Sequence, residues 1–310
     1  MTGPLLITGG AGFIGSHLVD ALLGAGHAVR VLDDLSTGKR ENLHPRAELI
    51  EGDVTDAALV RRAAQGVAGI VHLAAIASVE LSNRDWLGTH RVNQTGTVAV
   101  LDAARHAGRV PVVYASSAAI YGDQGEGAIA ENARPAPRTA YGADKLGSEL
   151  HAGVAAGVHG VPTIGLRFFN VYGPRQDPSS PYSGVISIFA ARIAAGEQVV
   201  VHGDGRQVRD FVYVSDVVAH LRAALAALQA AEAPSASVFN VCTGRATSIL
   251  DVAHTLADVM GCKVDIAHGP ARSGDIRTSI GNPAAARAAL GISAAVSLHE
   301  GLSATCASVA

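Results

Sequence analysis

The sequence predicts an α/β protein in which a doubly wound parallel sheet is joined by a smaller mixed α/β lobe. Three observations support this prediction. Short apolar runs alternate with Ala-rich, helix-favouring stretches in the first half of the chain. A glycine-rich turn follows the first apolar run, and a Pro-, Gly- and Ser-rich stretch interrupts the alternation after Phe169. Continuous Val/Ile/Leu runs separated by helices indicate parallel strands that are covered on both faces.

The elements follow in order along the chain. Six apolar runs predict buried strands: PLLITG, AVRVLD, AELIEGD, GIVHLAA, PVVYASS and TIGLRFF. The stretches 16–26, 56–66, 92–108 and 141–157 between them favour helices. Right-handed crossovers between parallel strands then give a doubly wound, Rossmann-type domain. Beyond the interruption, FVYVSDVVAHLRAALAALQAA and SVFNVCTG predict a later helix and strand.

Composition argues against several classes of protein. The 310 residues carry a formal net charge of −3, and Lys and Arg are scattered, so we expect no nucleic-acid partner. The three cysteines lie far apart and predict no disulfide framework. The sequence has neither a secretory signal pattern nor an apolar run of about 18 residues, which predicts a cytoplasmic protein with no membrane partner. The histidines lack close metal-ligand spacing, so no metal site is expected.

The stretch LLITGGAGFIGSHL predicts a strand, a glycine turn and a helix. Gly9, Gly12 and Gly15 have the spacing of a dinucleotide-binding turn, and Phe13 and Ile14 complete it. Glycine adopts positive φ cheaply, and its missing side chain lets a pyrophosphate approach the backbone. The following helix N-terminus offers free N–H groups and the positive end of its dipole. The turn therefore predicts a site for a dinucleotide.

Acidic residues end the second and third strands. Asp33 lies 18 residues after Gly15, where a carboxylate meets the adenosine ribose hydroxyls. Because a carboxylate repels a 2′-phosphate, Asp33 favours NAD over NADP, and the adjacent Asp34 strengthens this preference. Asp53 and Val54, in the GDV stretch after the third strand, are candidates for an adenine contact, although a plain turn explains them nearly as well.

These patterns suggest a division of the chain. We expect residues 1–168 to form the NAD-binding domain, with roughly 211–242 returning to it. Residues 169–210 and 243–310 are then expected to form the substrate-binding lobe.

The stretch YGADK places Tyr141 and Lys145 four positions apart, on one face of a predicted helix. A unit charge about 5 Å from a phenol contributes roughly 3 kcal/mol at an effective dielectric constant of about 20. We therefore expect Lys145 to lower the pKa of Tyr141, which makes it a usable base near neutral pH. Ser117, at the end of the preceding apolar run, supplies a hydroxyl for the same substrate oxygen.

Together these motifs resemble the extended short-chain dehydrogenase/reductase family, and most closely its NAD-dependent nucleotide-sugar epimerase branch. The motifs that carry the resemblance are GGAGFIG at 9–15, Asp33, Ser116-Ser117, Tyr141-x-x-x-Lys145 and RFFNVYGPR at 167–175. The resemblance spans nearly the whole chain. It implies that Ser117, Tyr141 and Lys145 are the catalytic group.

The resemblance also implies the reaction, the 4-epimerisation of a UDP-hexose such as UDP-glucose or UDP-galactose. Tyr141 takes the sugar O4 proton while hydride leaves C4 for NAD, and hydride then returns to the opposite face of a 4-keto sugar. The resemblance assigns further cofactor contacts to Leu73, Ala74, Ala75, Asn93, Tyr141, Lys145 and Phe168. A structural role for Asn93 explains that residue about equally well.

On the substrate side, the resemblance implies nucleotide contacts from Asn170, Arg209, Arg272 and Asp275. The guanidinium fork of arginine suits phosphate because it donates paired hydrogen bonds. The resemblance also implies that Ser279 helps to shape the sugar pocket. Its small side chain predicts room for a 2-acetamido group, and therefore activity on N-acetylhexosamine substrates as well.

Two alternative functions stay open, whereas the sequence argues against a dehydratase. Dehydratase relatives carry an Asp-Glu pair just after the catalytic hydroxyl, and Ala118 and Ala119 stand there in this chain. A UDP-glucuronate epimerase or decarboxylase on the same scaffold is the alternative enzyme, and a non-catalytic NAD-binding regulator is the alternative from another class. The resemblance further implies a homodimer through helices 92–108 and 141–157. Trp86 and Phe211 are expected to be core aromatic residues.

Overall fold

The computed structural model describes residues 3–177, 184–271 and 276–308. The strands are β1 (Leu5–Thr8), β2 (Val29–Asp33), β3 (Glu48–Glu51), β4 (Gly69–His72), β5 (Val112–Ser117), β6 (Ala128–Ile129), β7 (Thr163–Phe168), β8 (Asn170–Tyr172), β9 (Val199–His202), β10 (Val208–Arg209), β11 (Phe211–Tyr213), β12 (Ala236–Val241), β13 (Thr247–Ser248), β14 (Ile266–Gly269) and β15 (Thr278–Gly281). The α-helices are α1 (Phe13–Gly24), α2 (Ala57–Ala63), α3 (Val79–Arg84), α4 (Trp86–His90), α5 (Gly96–His106), α6 (Ala140–His159), α7 (Val185–Ala194), α8 (Val214–Ala230), α9 (Ile249–Val259), α10 (Ala284–Leu290) and α11 (Leu298–Ala307).

A parallel sheet, whose strands lie between Leu5 and Val241, organises most of the chain. Within the described residues it has seven strands in the order β12-β7-β5-β4-β1-β2-β3, and every pair is parallel. All six strands predicted from apolar runs belong to it, which confirms the predicted fold class. Phe168 pairs in register with Ser117 on one side and Val241 on the other, so three strands end along one edge.

Both faces of this large sheet are covered by helices, as its apolar strands require. Leu18 of α1 and Leu221 of α8 pack on one face, where their exposed fractions are 1% and 0%. Val60 of α2 and Val100 of α5 pack on the other face, both fully buried. Full burial of such a side chain contributes roughly 1.5–3 kcal/mol, so the two layers fix the edge at which the strands end.

A second set of elements follows the large sheet. In the described part of the chain, short strands form a sheet in the order β13-β10-β15-β6, and β8 pairs with β11 and β9 with β14. A separate apolar cluster joins α7, α9 and α11 around Phe189, Leu256 and Leu302. The division of the chain into a cofactor domain and a substrate lobe stays a prediction.

The segment that joins β4 to β5 differs from its prediction. Helical structure begins at Val79, well before the predicted residue 92, and a π-helical turn over Arg91–Thr95 links α4 to α5. Trp86 is 69% exposed, so its assignment to the core was wrong, whereas Phe211 is 7% exposed and buried. Trp86 opens the short helix α4 directly after its cap, Asp85, whose carboxylate accepts the Gly88 N–H.

None of the helices in the described ranges is long and apolar enough to cross a membrane. A cytoplasmic location stays a prediction.

Candidate active site

The glycine turn closes tightly around its own backbone. Gly9 has φ +72°, and a Cβ there would lie 2.6 Å from the Ala74 nitrogen. A Cβ on Gly15 would lie 2.1 Å from the Gly9 carbonyl oxygen. Only glycine fits at either position. Gly12 is the N-cap of α1 and has no side chain to accept the first N–H groups of the helix, which leaves them available to an anion.

Asp33 is held beside the same turn at the end of β2. Its Oδ2 accepts the Ala11 N–H at 2.9 Å, and its Oδ1 accepts the Leu35 N–H at 2.9 Å. Burial raises the pKa of this carboxyl, although the two backbone hydrogen bonds favour the carboxylate. Each oxygen keeps a further lone pair, so the carboxylate can accept hydroxyl donors as well. The geometry suits a ribose, as the sequence predicts.

Asp53 and Val54, which follow β3, differ from Asp33 in their burial and contacts. Asp53 is exposed, and its Oδ1 accepts the Thr55 N–H at 2.7 Å, while Val54 is buried. The carboxylate of Asp53 thus closes a turn, and its contact with adenine stays a prediction.

Asn93 lies on the π-helical turn and is 1% exposed. Its Oδ1 accepts the Ile76 N–H at 2.8 Å, and its Nδ2 donates to the Ile76 carbonyl at 3.1 Å. The amide therefore holds the loop after β4, where Leu73, Ala74 and Ala75 are half-buried. This is the structural role that the sequence left open, and a direct cofactor contact stays a prediction.

Tyr141 and Ser117 meet where β5 ends and α6 begins. Thr139 caps α6 by accepting the Gly142 N–H at 3.0 Å, which places Tyr141 in the first turn. The Tyr141 phenol and the Ser117 hydroxyl form a hydrogen bond. Lys145 is buried one turn further, and its Nζ lies 5.7 Å from the centre of the Tyr141 ring. The predicted catalytic group is therefore assembled at the carboxyl edge of the large sheet.

The electrostatics of this group differ from the expectation. Burial raises the pKa of Tyr141, and the Ser117 hydrogen bond lowers it without reversing the shift. Lys145 Nζ donates to the Ala115 carbonyl at 2.8 Å, and burial lowers the pKa of this ammonium to about 8, while Asp144 raises it. We expected Lys145 to bring the pKa of Tyr141 below its ordinary value. With only the groups of the protein present this prediction was wrong, because desolvation of the phenol has the largest effect on its pKa.

Sequence reasoning missed two groups that support this helix. Glu149 follows Tyr141 and Lys145 at the same four-residue spacing, and it accepts the Ser116 hydroxyl at 2.5 Å and the Arg167 guanidinium at 2.7 and 2.8 Å. Ser82 Oγ accepts the backbone N–H of Tyr141 at 3.3 Å. The stripe of three residues in the sequence could have indicated Glu149, whereas Ser82 has no sequence signal.

Three of the predicted substrate residues come together in the smaller sheets. Arg209 and Ser279 are paired neighbours on β10 and β15. Asn170, on β8, donates its backbone N–H to the Asp210 carbonyl at 2.9 Å. Arg272 and Asp275 lie outside the described residues. No group of three or more His, Cys, Asp or Glu side chains in the described ranges could hold a metal ion.

Residues 5–242 match the model of the NAD dependent epimerase/dehydratase family. The chain belongs to this family. The match covers the glycine turn, Asp33 and the Ser117, Tyr141 and Lys145 group, and it confirms the resemblance seen in the sequence.

Three relatives extend the comparison. The chain is 38% identical over 308 residues to the UDP-glucose 4-epimerase of Mycolicibacterium smegmatis, which covers 97% of this chain and 96% of that protein. It superposes with a TM-score of 0.92 on Thermotoga maritima UDP-glucose 4-epimerase with UDP-glucose, at 38% identity over 99% of this chain and 98% of the other. The TM-score is also 0.92 for a Methanobrevibacter ruminantium UDP-N-acetylglucosamine 4-epimerase in complex with UDP-N-acetylmuramic acid, at 31% identity over 100% and 99% of the two chains.

The family cofactor is NAD, and the residues of this chain fit it. Gly9 and Gly15 let the turn close on its own backbone, and α1 begins at Gly12 without a side-chain cap, which leaves its first N–H groups available to a pyrophosphate. Asp33 supplies the carboxylate for ribose hydroxyls.

Proposed function

We propose that this protein is a 4-epimerase of UDP-hexoses that interconverts UDP-glucose and UDP-galactose through a transient 4-keto sugar. The hydrogen-bonded pair of Tyr141 and Ser117, with Lys145 one turn further, carries the proposal because it provides a proton acceptor at the carboxyl edge of the sheet. The two relatives named as UDP-glucose 4-epimerases support the same reaction.

Tyr141 removes the proton from the sugar O4 hydroxyl and later returns it. Ser117 orients the phenol through their hydrogen bond and lowers its pKa. The protonated Lys145 ammonium stabilises the phenolate electrostatically. NAD, when bound, supplies the hydride acceptor for C4 and gives the same hydride back, which makes the reaction redox-neutral.

Two alanines favour epimerisation over loss of water. Ala118 and Ala119 begin the short 3₁₀ turn directly after Ser117. Their methyl side chains offer neither the acid nor the base that elimination across the sugar ring needs. The substrate therefore loses no water during the reaction.

We assign the nucleotide-sugar to the lobe that residues 169–210 and 243–310 form. Arg209 is half-buried beside Ser279, and its guanidinium suits the diphosphate. Asn170 lies exposed at the start of β8. The hydroxymethyl side chain of Ser279 leaves room for a 2-acetamido group, so we include UDP-N-acetylhexosamines among the substrates. The N-acetylglucosamine 4-epimerase relative supports this extension.

The experiment is to incubate the purified protein with UDP-galactose and to follow the anomeric proton signals by NMR. The proposal expects UDP-glucose to appear without added NAD, because the cofactor is regenerated in each turnover. A Tyr141→Phe variant is the matched control; it should retain NAD and lose nearly all turnover. Formation of a UDP-pentose and CO₂ from UDP-glucuronate, with no change in UDP-galactose, would instead identify a decarboxylase.

We also propose that the protein is a homodimer that pairs through α5 and α6. Leu150, Val154 and Val158 form a stripe along α6 and are 66%, 50% and 73% exposed, and Val98 of α5 is 37% exposed. Apolar side chains at this spacing share one helix face. In analytical ultracentrifugation the wild type should sediment as a dimer and a Val154→Glu variant as a monomer. If the wild type and the variant have the same mass, whether of one chain or of two, this interface is contradicted.

A further inference from the structure

Asp210 is a fully buried residue between β10 and β11. Its Oδ1 accepts hydrogen bonds from the backbone nitrogen of Thr243 at 2.8 Å and from the Thr243 hydroxyl at 2.7 Å. Its Oδ2 accepts the N–H groups of Gly244 at 2.8 Å and of Gly281 at 3.2 Å. All four donors are neutral, so dipoles solvate this buried carboxylate in place of water.

The four donors come from two different sheets. Thr243 and Gly244 follow β12, one residue beyond its end at Val241, and β12 is an edge strand of the large parallel sheet. Gly281 is the last residue of β15, in the centre of the smaller four-stranded sheet. One carboxylate therefore fastens the smaller sheet to the carboxyl edge of the large one.

The backbone of the same residue reaches the predicted substrate contacts. The Asp210 N–H donates to the Ser279 carbonyl at 3.0 Å, and the Asp210 carbonyl accepts the Asn170 N–H at 2.9 Å. Arg209 is its neighbour in the chain. The backbone of Asp210 is thus hydrogen-bonded to β8, which carries Asn170, and to β15, which carries Ser279. The strand β10 ends at Arg209, immediately before Asp210.

We propose that Asp210 is a positioning residue for the nucleotide-sugar: it fixes Arg209, Asn170 and Ser279 against the edge of the sheet where Tyr141 lies. This inference rests on the proposed function, since it takes a UDP-sugar as the ligand. Asp210 is buried beneath these residues and acts through them. Its loss should therefore weaken substrate binding while the catalytic group and the NAD site, which belong to other strands, keep their geometry.

The test is an Asp210→Asn variant of the holoenzyme. The asparagine amide has one acceptor oxygen, so two of the four buried donors lose their partner and its NH₂ group faces N–H groups. An unsatisfied buried group costs about 1–3 kcal/mol, which corresponds to roughly a fivefold to 150-fold rise in KM if it falls on substrate binding. We expect that rise in KM for UDP-galactose, a kcat within about threefold of the wild type, and an unchanged content of bound NAD.

Two further variants separate positioning from general destabilisation. Thr243→Val removes one of the four hydrogen bonds and should raise KM by a smaller factor than Asp210→Asn. Asp216 is a matched control, because it is also buried and its Oδ2 accepts two backbone N–H groups, from Ala295 and Val296, in the segment before α11. An Asp216→Asn variant should lower the melting temperature and leave KM unchanged.

Calorimetric titration with UDP and with UDP-galactose distinguishes failure of this inference from failure of the proposed function. If the wild-type holoenzyme binds neither ligand, the proposed function fails. If the wild type binds both and folded Asp210→Asn binds them equally well, the positioning role is overturned. If Asp210→Asn does not fold, Thr243→Val decides: a raised KM with normal NAD content supports the role, and an unchanged KM refutes it.

Discussion

The Ser117 hydroxyl, on the last residue of β5, hydrogen-bonds to the Tyr141 phenol, in the first turn of α6. This bond lowers the pKa of the phenol against the effect of its burial. The bond connects a strand end to a helix start, so it depends on how the sheet and α6 are packed. It makes the proton affinity of Tyr141 sensitive to a residue 24 positions earlier.

A Ser117→Ala variant should require a higher pH for activity. Loss of the hydrogen bond raises the pKa of Tyr141 further, so a smaller fraction of the phenol is deprotonated at any given pH. We expect kcat near neutral pH to fall by about 10²-fold and the alkaline rise of the pH–rate profile to move upward. Ser116→Ala is the control: the Ser116 hydroxyl binds Glu149, so this change should leave the profile in place.

An Asp33→Ala variant should bind NAD more weakly and discriminate less against NADP. The change removes the acceptors for the Ala11 and Leu35 N–H groups and the charge that repels a 2′-phosphate. Fluorescence titration of both cofactors gives the ratio of their dissociation constants. Asp34→Ala is the comparison variant: Asp34 is exposed and accepts the Ser36 N–H within its own turn, so the change should alter the ratio less than Asp33→Ala does. Equal ratios for Asp33→Ala and the wild type would exclude Asp33 as the selecting residue.

The sequence predicted the large sheet well because its signals are local. Apolar strands of four to six residues alternate with helices, and the glycine turn needs no distant partner to be recognised. The same holds for Tyr141 and Lys145, whose helical spacing is visible in five letters. These features depend on neighbours in the chain, so they can be recognised from the sequence alone.

The features that the sequence did not reveal depend on distant packing. Trp86 was assigned to the core by residue type, but the direction of its side chain is set by a short helix that follows its own cap. The raised pKa of Tyr141 arises from burial, which only the assembled site produces. Asp210 binds groups 33 to 71 positions away, so no local pattern marks it as a junction.

A Glu149→Gln variant should destabilise the fold markedly. Glu149 and Arg167 form a bidentate ion pair whose side chains are 8% and 5% exposed, and the change leaves the guanidinium buried without its counter-charge. Breaking such a pair costs about 3–5 kcal/mol, which chemical denaturation can measure. The exposed pair of Arg277 and Asp204 is the control, and Asp204→Asn should leave the unfolding free energy nearly unchanged. Similar losses in both variants would contradict the importance of burial.

A His72→Gln variant should reduce the loss of stability in mild acid. His72 is buried, its ring nitrogens bond to Thr8 at 2.7 Å and Thr97 at 3.1 Å, and burial lowers its pKa from 6.5 to about 3. Between these two pH values the unfolded chain binds a proton that the folded chain does not, so stability falls as the pH is lowered.

For this one group the loss between pH 7.5 and pH 5 is about 2 kcal/mol. Denaturation at both pH values, in the wild type and in His72→Gln, should show that difference, with the variant less dependent on pH. His106→Gln, on the exposed face of α5, is the control and should behave as the wild type. An equal pH dependence in the wild type and His72→Gln would mean that His72 accepts a proton in the folded protein.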